Sequence, residues 1–352
     1  MTVITKNCSK SSTPIPVKKI FGLVLAIFIL GSCAKMPAFS TYPTERITTG
    51  QGPEDMVLDT FTNTKNPRML VSCSARRKNE PVHGEIWSLD LNTEKAHVLP
   101  RTGEPTGITY HPHGIDLIKQ ADQSIRLFVI NHMDSLKKQV IMEYIVKPDE
   151  LVFVSMHEHK LLSSPNDVCA KPGGGFYWSN DASQRKYAFI EPALGIRGGY
   201  VGLKDEKAGS VWNKSKYKFA YTNGIALWNN DLYISTVIQS RIFRFKNADI
   251  SQKPEKIGKV VGGDNISFLP DGRMLVTAHL RQLNFLRHMK KSKNRSQSVV
   301  YLIDPVSKSR KVIFSDSGAQ ISTASTAVYF NGYLYICQVF DPFILKVKTG
   351  IL

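Results

Sequence analysis

Cysteine is scarce in this chain and shows no pairing pattern. Five occur in 352 residues. Cys8 and Cys33 lie near the start, which leaves Cys73, Cys169 and Cys337 in the body, an odd number without a C-x-x-C spacing. A disulfide framework is excluded, and the three read as small buried apolar side chains. Convincing helical periodicity is nearly absent, and no Pro/Ser linker or low-complexity tract divides residues 45–352. No Gly-x-Ser-x-Gly elbow, Walker loop or dinucleotide fingerprint appears, which argues against serine-hydrolase, P-loop and Rossmann chemistry. Acidic side chains are outnumbered 29 to 46, for a formal charge of +17. The longest apolar run, 20–30, is too short to span a bilayer comfortably.

That run follows Lys18-Lys19 and precedes Gly31-Ser32-Cys33. A basic start, a short apolar core and small residues before a cut make a secretory signal. Leu30-Gly31-Ser32-Cys33 also resembles a bacterial lipobox, in which Cys33 becomes the lipidated first residue. The expectation is a signal peptide over 1–32, a tether over 33–44 and one domain over 45–352, exported to the bacterial periplasm or cell surface. The basic balance then has anionic lipid to meet, and no nucleic-acid partner is expected.

Strand signals dominate what is present. Leu127-Phe128-Val129-Ile130, Leu232-Tyr233-Ile234-Ser235 and Val299-Val300-Tyr301-Leu302-Ile303 are separated from other such runs by turn chemistry such as Pro270-Asp271-Gly272 and Asn331-Gly332. Short strands with regular turns mean a sandwich, barrel or propeller. Acid/amide motifs decide between them. Glu54-Asp55, Asn166-Asp167, Asn223-Gly224 and Asp264-Asn265 each abut an apolar β-type run, and Pro112-His113-Gly114-Ile115 puts histidine in the same setting. With a Ser/Thr-rich stretch at 322–326, six such starts recur at intervals of about 40 to 60 residues, each with room for one four-stranded blade. The fold class predicted is all-β, a six-bladed β-propeller with a calcium-binding central tunnel. Residues opening the innermost strands converge there.

Glu54, Asn166, Asn223, Asp264 and Asn265 would offer carboxylate and amide oxygens without a thiolate, the shell a hard cation such as Ca2+ requires. Alternation along a strand turns Asp55 and Asp167 away from Glu54 and Asn166, toward a second, deeper ion. Singly, these motifs read as turns. His113 and His132 are candidates for moving a proton beside a polarised ester. A zinc site on His111 and His113, or plain buried histidines, are the competing readings. His157 and His159 look like surface strand residues. The basic stretch 281–295 reads first as a solvated charged loop. With Leu283, Leu286 and Met289 at helical spacing, it alternatively roofs a site or touches a membrane.

As a set, Gly50-Gln51-Gly52-Pro53-Glu54-Asp55, Pro112-His113-Gly114-Ile115, Val129-Ile130-Asn131-His132, Pro165-Asn166-Asp167, Thr222-Asn223-Gly224-Ile225 and Gly263-Asp264-Asn265-Ile266-Ser267 resemble the calcium-dependent paraoxonase/arylesterase lactonases. These are propellers related to gluconolactonases and strictosidine synthase-like proteins. The resemblance covers about 47–345. It implies a catalytic Ca2+ on Glu54, Asn166, Asn223, Asp264 and Asn265. It also implies a structural Ca2+ on Asp55, Asp167 and the backbone oxygen of Ile115, and a His113–His132 dyad that activates water. His279 matches a wall position more loosely. Animal members of the family tie an N-terminal cysteine to one at the extreme C-terminus. The last residues here contain none, so closure is expected from strand pairing alone. The segment 187–202, where the family carries a lid, is glycine-rich here.

The resulting expectation is a calcium-dependent hydrolase of a small-molecule lactone or aryl ester, held at a membrane through Cys33. A gluconolactonase-type sugar-lactone hydrolase and a non-catalytic, calcium-stabilised binding propeller are the alternatives.

Overall fold

The structure is a computed structural model that describes residues 35–350, apart from 78–79, 81–83, 134–135 and 208. The expected signal segment and the lipobox Cys33 lie outside the described residues. Among the described residues no helix is long and apolar enough to cross a membrane.

Strand β1 (Thr44–Thr48) stands apart from its neighbours in sequence. The first blade is β2 (Pro53–Asp59), β3 (Arg68–Ser74), β4 (Gly84–Asp90) and β5 (Ala96–Val98). In the second, β6 (Arg101–Thr102) pairs parallel to the outer edge of β7 (Pro112–Lys119), β8 (Ile125–Met133), β9 (Lys138–Val146) and β10 (Leu151–Glu158). The third is β11 (Pro165–Ala170), β12 (Gly175–Asn180), β13 (Tyr200–Asp205) and β14 (Val211–Lys214). The fourth is β15 (Thr222–Trp228), β16 (Asp231–Thr236), β17 (Arg241–Phe245) and β18 (Glu255–Lys259). The fifth is β19 (Gly263–Phe268), β20 (Met274–Ala278), β21 (Ser298–Ile303) and β22 (Arg310–Asp316). The sixth is β23 (Ala324–Phe330), β24 (Tyr333–Gln338) and β25 (Phe343–Lys348), completed by β1. This is a six-bladed β-propeller.

Closure is by β1 on β25, antiparallel, from Thr44 opposite Val347 to Thr48 opposite Phe343. Arg46 reinforces it. Its guanidinium lies 4.3 Å over the Phe343 ring and donates to the Gln320 carbonyl at 2.8 Å. Before β1 the chain already packs on the body: Ser40 exchanges hydrogen bonds with Ser315, and Met36 meets the core between the fourth and fifth blades.

Apolar residues at alternate strand positions face neighbouring blades, so the core is a ring of interblade clusters. One joins Leu70 and Ile86 of the first blade to Leu127, Val129 and Met142 of the second, and another joins Leu275 and Val300 of the fifth to Leu334 and Ile336 of the sixth. Polar bonds repeat with the same period around the tunnel. Ser72 donates to the His113 carbonyl at 2.6 Å, Ser235 to that of Asp264 at 2.5 Å, and Ser179 and Thr277 do the same for Asn223 and Ser325. Carboxylates bridge blades likewise: Asp55 accepts from the Ile115 N–H, Asp116 from that of Ala170 and Asp167 from that of Ile225. Buried backbone groups must be satisfied, and here the neighbouring blade satisfies them. Cys73, Cys169 and Cys337 are free and buried, as the sequence suggested.

Two expectations change. His157 is not a surface residue. Its side chain is only 11% exposed, pairs with Glu143 at 2.9 Å and packs against Phe176. The basic stretch is not a solvated loop either, because residues Gln282–Lys290 form a helix.

Candidate active site

Each innermost strand opens on a β-bulge. The ladders slip between Pro53 and Asp55, Pro112 and Ile115, Pro165 and Asp167, Thr222 and Ile225, Gly263 and Ile266, and Ala324 and Ala327. A bulge leaves residues out of the ladder and re-aims their side chains. The residues left out are Glu54, His113-Gly114, Asn166, Asn223-Gly224, Asp264-Asn265 and Ser325-Thr326. All six starts read from sequence therefore coincide with bulges, on one end of the tunnel. The crowding there dictates glycine: a Cβ on Gly114 would sit 2.6 Å from the Asp167 Cα, and one on Gly224 2.6 Å from the Asn265 Cα.

Glu54, Asn166, Asn223 and Asp264 line the floor of a cavity of about 450 Å3, and all are buried. Asn265 lies behind them, its amide donating to Thr326 at 2.8 Å and reaching Glu54 Oε1 at 3.5 Å. Glu54 Oε2 and the Oδ1 atoms of Asn166, Asn223 and Asn265 are buried without a hydrogen-bond partner. Leaving one buried acceptor unmatched costs about 1–3 kcal/mol, and four that converge in one place could be met by one shared ligand. Carboxylate and amide oxygens together suit Ca2+. No three His, Cys, Asp or Glu side chains form a metal-binding group on their own among the described residues; the amide oxygens complete this set.

Charge points the same way. Burial, followed by the Glu54 carboxylate, pushes the Asp55 carboxyl well up, and burial with the Asp55 charge does so for Asp167. Burial also raises Asp264, against a 2.6 Å bond from His279 Nε2. At Glu54 burial acts upward too, but His113 in its protonated form and Arg76 outweigh it and hold the carboxyl low. A divalent cation would balance these buried carboxylates. Asp55 and Asp167 lie deeper, with their oxygens already engaged by backbone N–H groups, and Asp55 also by Thr326.

The histidines form a directed chain. Gln139 Oε1 can only accept, so the His132 nitrogen it contacts, Nδ1, carries the proton. His132 Nε2 is then the acceptor for His113 Nδ1–H, 2.8 Å away. That leaves His113 Nε2 with its lone pair on the cavity side, 3.5 Å from Glu54 Oε2. Burial, then the charge of Arg185 and that of His113 once protonated, hold His132 well below the ordinary imidazole range, which keeps it a neutral acceptor. His113 is thereby paired with His132, and a shared zinc site with His111 is not what its geometry favours.

A family model described as arylesterase matches residues 76–344. The chain belongs to the arylesterase family. It is 25% identical over 270 residues to human serum paraoxonase/lactonase 3 and 26% identical over 281 residues to human serum paraoxonase/arylesterase 1. Each match covers 73% of this chain and 75% of the relative. Among solved structures it is similar to a luciferin-regenerating enzyme (TM-score 0.58, 13% identity, 88% of this chain and 96% of that one). It is also similar to a gluconolactonase candidate (TM-score 0.54, 14% identity, 90% and 94%). At these identities the structural likeness speaks for the propeller alone.

Within this arylesterase-family site, several residues escaped the sequence reading. Arg76 ties blades together by donating to the carbonyls of Gly52, Ser74 and Pro112. Gln139 stands directly opposite His132 in the β8–β9 hairpin, and counting across that short turn would have found it. Tyr221 lines the cavity in the left-handed backbone region, at φ +60°, which no sequence signal marks. Asp181 accepts from Ser164 behind the floor. Above the floor the walls turn apolar. Ala188, Phe189 and Pro192, around the short helix α1 (Ile190–Ala193), face Phe285, Leu286 and Met289 of helix α2 (Gln282–Lys290).

Proposed function

We propose that this chain is a calcium-dependent hydrolase of lactones or aryl esters. The cluster of four unpartnered buried oxygens on the floor beside the outward lone pair of His113 carries this reading. Membership of the arylesterase family and relatives named as lactonase and arylesterase support it. Glu54, Asn166, Asn223, Asp264 and Asn265 would hold the catalytic ion, and Asp55, Asp167 and the Ile115 backbone oxygen a structural one. Bound Ca2+ supplies Lewis-acid polarisation of a carbonyl oxygen.

The chain's own residues do the rest. His113 Nε2 takes a proton from water as general base. His132, fixed by Gln139, holds the His113 ring in the tautomer that leaves Nε2 free and stabilises the imidazolium through the Nδ1–H bond. Glu54, 3.5 Å from that nitrogen, favours the charged ring electrostatically. The apolar upper walls hold the non-reacting part of the substrate and exclude bulk water.

His113→Gln should lower turnover of phenyl acetate and γ-lactones by at least about 100-fold, the scale of a lost general base, with an unchanged melting curve. Near-wild-type turnover would remove the dyad from the mechanism. Absence of turnover by the wild-type chain across both substrate classes with added Ca2+ would favour a binding propeller instead. We further propose export through residues 1–32 and membrane attachment at Cys33, resting on Lys18-Lys19, the apolar run and the lipobox-like tetrad. Cys33→Ala should move the protein from the membrane to the soluble fraction.

A further inference from the structure

Helix α2 is held over the cavity by a buried latch that plays no part in the chemistry above. His288 is fully buried and is not among the helix residues that line the cavity. Its Nδ1 donates to the Asn294 carbonyl at 2.8 Å, so Nε2 is an acceptor, and it faces Arg77 Nη2 at 3.2 Å. Arg77 comes from the first blade, spans to Asp341 of the sixth at 3.1 Å, pairs with Glu80 and lies 4.7 Å over the Phe340 ring. The His288 ring meets Phe340 edge-on at 5.4 Å, and Phe285 meets both Phe340 and His279. Two blades far apart in sequence are thus joined to one nine-residue helix, too short to be stable in isolation. Phe285, Leu286 and Met289 of the same helix form the apolar wall opposite Phe189 and Pro192.

We propose that α2 is the element that selects substrates by the length of an apolar tail, and that His288, with Arg77 and Asp341, is the positioning device that keeps it in place. The first half rests on the lactone and ester reading above; the second does not. A polar floor beneath two apolar walls suits a substrate with a small reacting ring or ester and an aliphatic chain rising between the walls. Burial of a tail favours binding in proportion to the apolar surface it removes from water, so a wall that loosens forfeits binding of long tails while leaving short substrates untouched.

The test compares wild type, His288→Leu, His288→Gln and Asp341→Asn. It measures kinetics on γ-butyrolactone and γ-decalactone, and hydrogen exchange of the peptide spanning 282–290. His288→Leu and Asp341→Asn should raise KM for γ-decalactone about tenfold and speed exchange in that peptide, with kcat and γ-butyrolactone kinetics within twofold of wild type. His288→Gln, which keeps an acceptor toward Arg77, should restore both. Unchanged exchange in both disruptive variants overturns the latch, whatever the activity. Faster exchange with equal losses on the two lactones overturns tail selection. Failure of wild type to hydrolyse either lactone overturns the lactone reading and tail selection with it, and exchange alone then decides the latch.

Discussion

His113 and His288 show how one side chain takes opposite duties from what stands behind it. In His113 the partner, His132, accepts, so the outer nitrogen keeps its lone pair on the cavity side. In His288 the partner, Asn294, also accepts, but the outer nitrogen is spent on Arg77. His113 was legible in the sequence because its motif shares the setting of the acid/amide starts. His288 was not, since its partners Arg77 and Asp341 are distant in the chain and no local pattern joins them. His288 also carries a pH signature. Burial, with the nearby Arg77 and Arg295 charges, lowers its pKa from the ordinary 6.5, while Asn294 and Asp341 oppose the shift. Between the folded value and 6.5 the unfolded chain binds more protons, so stability rises with pH there. This contribution is complete above 6.5 and is lost as pH falls through the folded pKa. The stability of His288→Gln should therefore fall less steeply than wild type below pH 6.5, as read from urea midpoints, with His132 contributing equally to both. Parallel curves would mean that His288 does not titrate on unfolding.

The bulged innermost strand is the element that makes the site. Alternation along a strand set Asp55 and Asp167 apart from Glu54 and Asn166 in expectation, but the ladder is interrupted by a bulge at Glu54 and Asn166 just as it is at Asn223 and the Asp264-Asn265 pair. A bulge has no composition of its own beyond Gly114 and Gly224, so it could not be read before the ladders were known. The hydroxyl contacts of Ser72, Ser179, Ser235 and Thr277 were hidden for the same reason: each is a single small residue in an apolar strand. Gly224→Ala places a methyl carbon against the Asn265 backbone, which cannot yield as a side chain would. Overpacking of this kind costs typically 1–3 kcal/mol, and the melting temperature should fall accordingly. Gly258→Ala, with nothing within 4 Å of the new carbon, should stay within roughly 0.5 kcal/mol of wild type. Equal melting of the two variants would count against crowding at the bulge. Helix α2 was half legible: its apolar spacing was visible, but the charge around it pointed to solvent. Burial of His288 against two other blades decides otherwise.

For the molecule as a whole, the regular interval between strand starts was enough to count six blades, because each blade repeats one hydrophobic face and one turn set. The proposed ions would sit where all blades meet, so their removal should act on the entire ring. Chelation by EDTA should abolish hydrolysis and lower the melting temperature by about 4 °C per ion released, given that a ligand at a hundred times its Kd contributes about 2.7 kcal/mol. An unchanged melt would eliminate the structural ion. Asp55 and Asp167 would then be explained by their backbone N–H bonds alone. Pairing of β1 with β25 has a further consequence for biogenesis. The strand synthesised first is the one paired last, and until the sixth blade emerges β1 lacks its partner. Contacts this far apart in sequence are slow to form, and open strand edges invite pairing with other chains. β1 therefore remains without its partner strand for the whole of synthesis. The hazard is set by the order of the strands, whatever the chemistry at the tunnel mouth.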